Sequence, residues 1–152
     1  MIATESELSQ LTLGLEEDIF IEASIEASFA ALLEQMGPSN EMGDGTPMPM
    51  VLEAVPGGRW FRDLGDDNGH NWATVQAIRR PDLLELSGPL FMSYPVCNNV
   101  QYRLAAEGDG TRLTLRHNAL GLITEDHRQG VREGWRSLLQ KVRSRAQSPA
   151  VH

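Results

Sequence analysis

The stretch from Glu125 to Arg145 constrains the fold more than any other part of the chain, because it carries the pattern of a long amphipathic helix with one apolar face. Val131, Trp135, Leu138, Leu139 and Val142 recur at helical spacing and share that face, while Arg128, Arg132, Arg136 and Arg143 take the remainder. Thr124 is placed to cap the start, and Glu125 and Asp126 fall in the first turn, where the helix dipole favours acids. Lys141, Arg143 and Arg145 fall near the end, and Pro149 lies beyond. A stripe of this kind has to dock on another layer. The arginines read as a solvated face.

What precedes the helix reads mostly as strands. Thr12 to Ser24 is a first strand, with Leu13, Leu15, Ile19 and Ile21 at odd positions around an acidic break at Glu16-Glu17-Asp18. Ser24 can cap a short helix whose stripe is Ile25, Phe29, Leu32, Leu33 and Met36, and Gly37-Pro38 ends it. After a loop rich in Gly, Pro and Met come strands at Met50–Val55 and Arg59–Leu64, broken by Pro56-Gly57-Gly58. Gly65 to Gly69 turns, Asn71 to Ile78 is a strand, Arg80-Pro81-Asp82 turns, and Leu83 to Ser87 continues. The clearest hairpin pairs Val100, Tyr102 and Leu104 with Leu113, Leu115 and His117 across the turn Glu107-Gly108-Asp109-Gly110. Strand, short helix, antiparallel strands and long helix in that order predict an α+β fold, with the long helix laid across a curved sheet.

A chain of 152 residues suits one domain and buries roughly 68–70% of its unfolded surface without disulfides or metals. The core is expected over about residues 12–145, with tails at 1–11 and 146–152. Thirteen Lys and Arg against twenty-one Asp and Glu give a net charge of −8, which argues against nucleic acid and anionic membrane as partners. Cys97 is alone, and no apolar run approaches the ~20 residues needed to span a bilayer. The opening Met1-Ile2-Ala3-Thr4-Glu5-Ser6-Glu7 lacks the basic and apolar regions of a secretory signal, so a cytoplasmic location is expected.

Several stretches together carry a resemblance. They are the strand end Ile21–Ser24 running into the Phe29 helix, Val55-Pro56-Gly57-Gly58-Arg59, and the strand pair Ala73–Leu84 turning at Arg80-Pro81-Asp82. Gly110-Thr111-Arg112-Leu113-Thr114-Leu115-Arg116-His117 and Gly134-Trp135 followed by Leu138-Leu139 complete the set. In order and spacing they resemble the START-like helix-grip superfamily and, within it, the domain of activators of the ATPase of the ninety-kilodalton heat-shock protein. The resemblance covers about residues 19–145. It implies a pocket between the long helix and the concave sheet, and no universal catalytic residue. Two departures stand out: Ala73 where a glycine is expected, and a long, apolar segment from Gly88 to Asn99.

The alternation of its strand turns His117 toward the presumed pocket, where an imidazole can donate to a ligand carbonyl or act as a general base; a core-edge histidine bonded to a neighbour is the alternative. Tyr102 has the same two readings on the partner strand. Met50, Trp72, Tyr102, His117, Trp135 and Leu138 are the expected ligand-binding residues, with Trp72 dependent on whether a bulge shifts its strand. Gly130 and Gly134, one turn apart beside the stripe, leave a shallow groove at a cost of ~1 kcal/mol each in helix propensity, which either close backbone packing against a strand or room for a ligand explains.

No metal and no cofactor is expected: Asp66-Asp67-Asn68 lacks the calcium-loop pattern, and His70, His117, His127 and His152 match no zinc spacing. Met36, Met42, Met48 and Met50 suit an adaptable pocket mouth. Leu90 to Val96 is expected to cover that mouth or a homodimer contact, with the homodimer preferred. The functional expectation is therefore a binder of a small, largely apolar or aromatic molecule. An enzyme similar to polyketide cyclases or dehydratases, with His117 and Tyr102 in acid–base roles, is the first alternative. A chaperone-regulating interaction module is the second.

Overall fold

A computed structural model describes residues 4–148, with the side chain of Ser6 excepted. The chain runs through α1 (Glu5–Leu11), β1 (Thr12–Ile21), α2 (Ile25–Met36), β2 (Val51–Leu52), β3 (Arg59–Gly65), β4 (Asn68–Arg79), β5 (Leu83–Gly88), β6 (Val96–Glu107), β7 (Gly110–Gly121) and α3 (Glu125–Gln147). The strands form one seven-stranded antiparallel sheet in the order β1-β7-β6-β5-β4-β3-β2. The first strand thus pairs with the last, and α3 lies across the concave face against β1 and α2. This is the α+β helix-grip architecture.

Alternation decides which face is concave. Asn98, Val100, Tyr102 and Leu104 of β6, Leu113, Leu115 and His117 of β7, and Leu84 and Leu86 of β5 are buried on one side. Val131, Trp135, Leu139 and Val142 of α3 and Phe29, Leu32 and Met36 of α2 close on them. The caps follow the sequence: the Thr124 hydroxyl accepts from the His127 N–H, and the Ser24 hydroxyl from the Ala27 N–H.

Three local outcomes depart from the sequence reading. Residues 5–11, expected as tail, form α1, held by a reciprocal capping box between Thr4 and Glu7. The strand expected at Met50–Val55 shortens to Val51–Leu52, because Glu53 to Gly58 folds into a tight turn. A Cβ at Gly58 would lie 1.9 Å from the Glu53 carbonyl oxygen, so only glycine fits. The arginines of α3 are not merely solvated. Arg128 donates to the carbonyls of Gln10 and Thr12, Arg132 pairs with Glu17, and Arg136 Nε lies 3.2 Å from Glu17 Oε2. Glu17 occupies an odd, inward position of β1. Burial opposes its charge, but the two guanidinium groups outweigh that and hold its carboxyl below the usual range. Pro149 lies outside the described residues.

Candidate functional site

Between the sheet and α3 lies a hollow of about 550 Å³. Its wall is largely apolar and aromatic: Trp60 of β3, Trp72 of β4, Leu90 and Phe91 of the β5–β6 connection, and Val131, Trp135 and Leu138 of α3. Gly130 and Gly134 complete the helix side, and a Cβ at either would meet nothing within 4 Å. The cost of two glycines inside a helix is therefore not explained by close backbone packing. It leaves space beside the stripe. Gly130→Ala and Gly134→Ala are each expected to stabilise the fold by ~1 kcal/mol while narrowing the hollow, which chemical denaturation reads directly.

Trp72 reaches this wall through a bulge. Trp60 pairs with Ala73 but Phe61 with Asn71, so Trp72 is the extra residue in β4. Its ring meets Trp60 edge-on at 5.1 Å and Phe91 at 6.0 Å. Gly88 makes this approach feasible, since a Cβ there would lie 2.5 Å from the Trp72 carbonyl oxygen. That carbonyl accepts from the Leu90 N–H at 2.8 Å, which fixes the start of the connection at the edge of the hollow.

Of the six residues expected at the pocket, Trp72, Trp135 and Leu138 line the hollow, and Met50, Tyr102 and His117 stand behind its wall. Met50 is buried in the core, where its N–H bonds the Gly37 carbonyl. Tyr102 is fully buried, its hydroxyl has no hydrogen-bond partner among the described residues, and burial pushes its ionisation up. His117 points inward as its strand parity requires, but both ring nitrogens are used. Nδ1 accepts from Trp135 Nε1 at 3.0 Å, and Nε2 lies 2.7 Å from Asn98 Oδ1. Asn98 in turn donates to the Pro89 carbonyl at 3.2 Å. The chain Trp135–His117–Asn98–Pro89 requires a neutral imidazole with its proton on Nε2, and burial lowers its pKa to about 4. Its evident effect is to lock the Trp135 ring as a wall of the hollow.

The methionines divide likewise: Met42 and Met48 line the hollow, while Met36 and Met50 belong to the core. In the Leu90–Val96 segment, Leu90 and Met92 are buried, and Leu90 and Phe91 face the hollow. Sequence reasoning missed His127 and its neighbour Tyr94. His127 lies in the first turn of α3 on the wall, and its Nδ1 is 2.6 Å from the Tyr94 hydroxyl. Its position in a capped helix next to two acids gave no signal, because the partner is 33 residues away. At the α2 end the hollow is bordered by Gln35, Asn40 and the ion pair Lys141–Glu41, 3.2 Å apart.

Residues 23–146 match the family described as Activator of Hsp90 ATPase homolog 1-like protein. The chain belongs to that family. No curated protein gives a significant sequence match. Among solved structures, the fold is similar to the di-domain ARO/CYC StfQ from the steffimycin biosynthetic pathway, with TM-score 0.66 and 15% identity over 93% of this chain and 53% of that one. This family member therefore spans about half of that di-domain protein. It also resembles an uncharacterised protein from Rhizobium leguminosarum (TM-score 0.69, 17% identity, 90% of this chain and 95% of that one). Ara h 8.0201 is a third relative in fold (TM-score 0.68, 11% identity, 91% and 99% of the two chains). At these identities the likeness establishes the fold. Among the described residues, no helix is long and apolar enough to cross a membrane.

Proposed function

We propose that this protein binds a small, uncharged, largely apolar or aromatic molecule in the hollow under α3, as a cytoplasmic carrier or sensor rather than through chemistry of its own. The observation that carries the reading is the pair Gly130 and Gly134, which keep the apolar space beside Trp135 and Leu138 open. A volume of about 550 Å³ falls within the ~300–1,000 Å³ of small-molecule sites, and the ratio of apolar wall to a few polar groups is the usual one. The alternative of a cyclase-like enzyme built on His117 and Tyr102 loses support, since neither lines the hollow and His117 has both nitrogens engaged. A chaperone-regulating role rests on the family description alone. The Leu90–Val96 segment is proposed as a rim of the pocket; a homodimer through it is the second reading, which sedimentation decides.

All three tryptophans of the chain line the hollow, so intrinsic fluorescence reports occupancy directly. A thermal-shift screen of uncharged bicyclic and tricyclic aromatics should give hits. At 100 times its Kd, a ligand specific to the folded state adds ~2.7 kcal/mol, or roughly 5–10 °C in a domain of this size. Gly134→Phe, which places a ring in the open space, is expected to fold and to weaken any hit at least tenfold. A variant that binds as tightly as the parent would place the ligand elsewhere.

A further inference from the structure

The hollow is largely apolar, yet two rings on its wall hold a nitrogen without a hydrogen-bond partner among the described residues, the Trp72 indole and the His127 imidazole, and only the imidazole is fixed by a hydrogen bond of its own. His127 Nδ1 is taken by the Tyr94 hydroxyl at 2.6 Å, and no partner meets Nε2. The ring is held on two sides: Phe91 meets it edge-on at 5.1 Å, and Tyr94 lies tilted against it at 5.4 Å. Phe91 in turn abuts Trp72, so the imidazole ends a continuous aromatic arc along the wall. With the Tyr94 hydroxyl donating to Nδ1, Nε2 carries the proton and donates; with Nδ1 donating to Tyr94, Nε2 accepts from a hydroxyl, so in either tautomer one ring nitrogen stays free for an oxygen-bearing edge.

The charges around the hollow bear on the ligand's own charge. Lys141 is already paired with Glu41, and Asp126 adds a carboxylate beside His127. A carboxylate or phosphate ligand would meet that acid with no unpaired cation on the wall to offset it. A neutral oxygen avoids this repulsion.

Resting on the binding reading above, we infer that His127, oriented by Tyr94, is the polar anchor of the site, and that it selects a flat, uncharged aromatic molecule bearing a hydroxyl or carbonyl oxygen on its edge. The aromatic body lies along Trp72, Phe91 and Trp135, and its edge oxygen meets His127 Nε2. Tyr94 is a positioning residue: it holds the ring through the hydrogen bond to Nδ1 without itself lining the hollow.

The test compares naphthalene with 2-naphthol, which share an aromatic body and differ by one hydroxyl, by isothermal titration calorimetry on the full chain. His127→Phe keeps a ring of similar shape and removes the nitrogen. It is expected to leave the Kd for naphthalene within twofold and to reduce the preference for 2-naphthol over naphthalene about three- to tenfold. Tyr94→Phe should reduce the same preference by a smaller factor, again with naphthalene unaffected, a pattern that general loosening of the site does not produce. If both probes bind the parent but His127→Phe leaves their ratio unchanged, or weakens both equally, the anchor is refuted while the apolar pocket stands. If neither probe binds the parent, the pocket reading falls and the anchor with it.

Discussion

Replacing Trp135 by alanine should destabilise the fold by about 3–5 kcal/mol and lower the melting temperature by on the order of 10 °C. The indole is buried between α3 and the sheet, and it also supplies the hydrogen bond that satisfies His117 Nδ1. Two losses therefore coincide, a large apolar volume and a partner for a buried polar atom. Trp135→Phe separates them. It keeps most of the volume and removes only the donor, so its cost should be nearer ~1–3 kcal/mol. A Trp135→Ala protein that melts within a degree or two of the parent would overturn the assignment of α3 as the lid of the core.

The second large effect is on stability against pH. His117 is fully buried and its pKa is lowered from 6.5 to about 4, with burial as the cause. The unfolded chain therefore takes up a proton at this residue at higher pH than the folded one. Stability from His117 is complete above about pH 6.5 and is lost as the pH falls toward 4, amounting to on the order of 2–3 kcal/mol by pH 4.5. The carboxylates that ion pairs or hydrogen bonds hold below their usual range, Glu17, Glu53 and Glu107 among them, act in the same direction at lower pH, below about 4.5. Urea titrations at pH 7, 6, 5 and 4.5 resolve the upper window. His117→Gln should be less stable at pH 7 and nearly flat between pH 6.5 and 4.5. An equally steep profile in that variant would assign the slope to another group.

How much of this was legible in the sequence depended on whether the determining contact was local. The caps at Ser24 and Thr124, the α3 stripe and the β6–β7 hairpin are set by neighbours in the chain, and each formed where its pattern placed it. Parity put His117 on the inner face correctly. It could not show that Trp135 and Asn98, 18 and 19 residues away, would occupy both nitrogens. The Trp72 position turned on a single extra residue in β4, which no periodicity encodes. His127 was passed over because its chemistry comes from Tyr94, across the fold. The arginines of α3 looked like a solvent face because Glu17, their partner, lies on a strand more than a hundred residues earlier in the chain.

Those arginines also bear on self-association. β1 is an edge strand of ten residues, long enough to template a strand from another molecule through its unpaired backbone groups. Arg128 occupies the carbonyl of Thr12, and Arg132 lies 3.5 Å from that of Glu16, so two acceptors in the first half of this border are engaged from within. At the opposite border β2 offers only two residues. The same helix that encloses the pocket thus guards the sheet against cross-β growth, and substitutions that strip its basic face while sparing the core should show themselves first as aggregation.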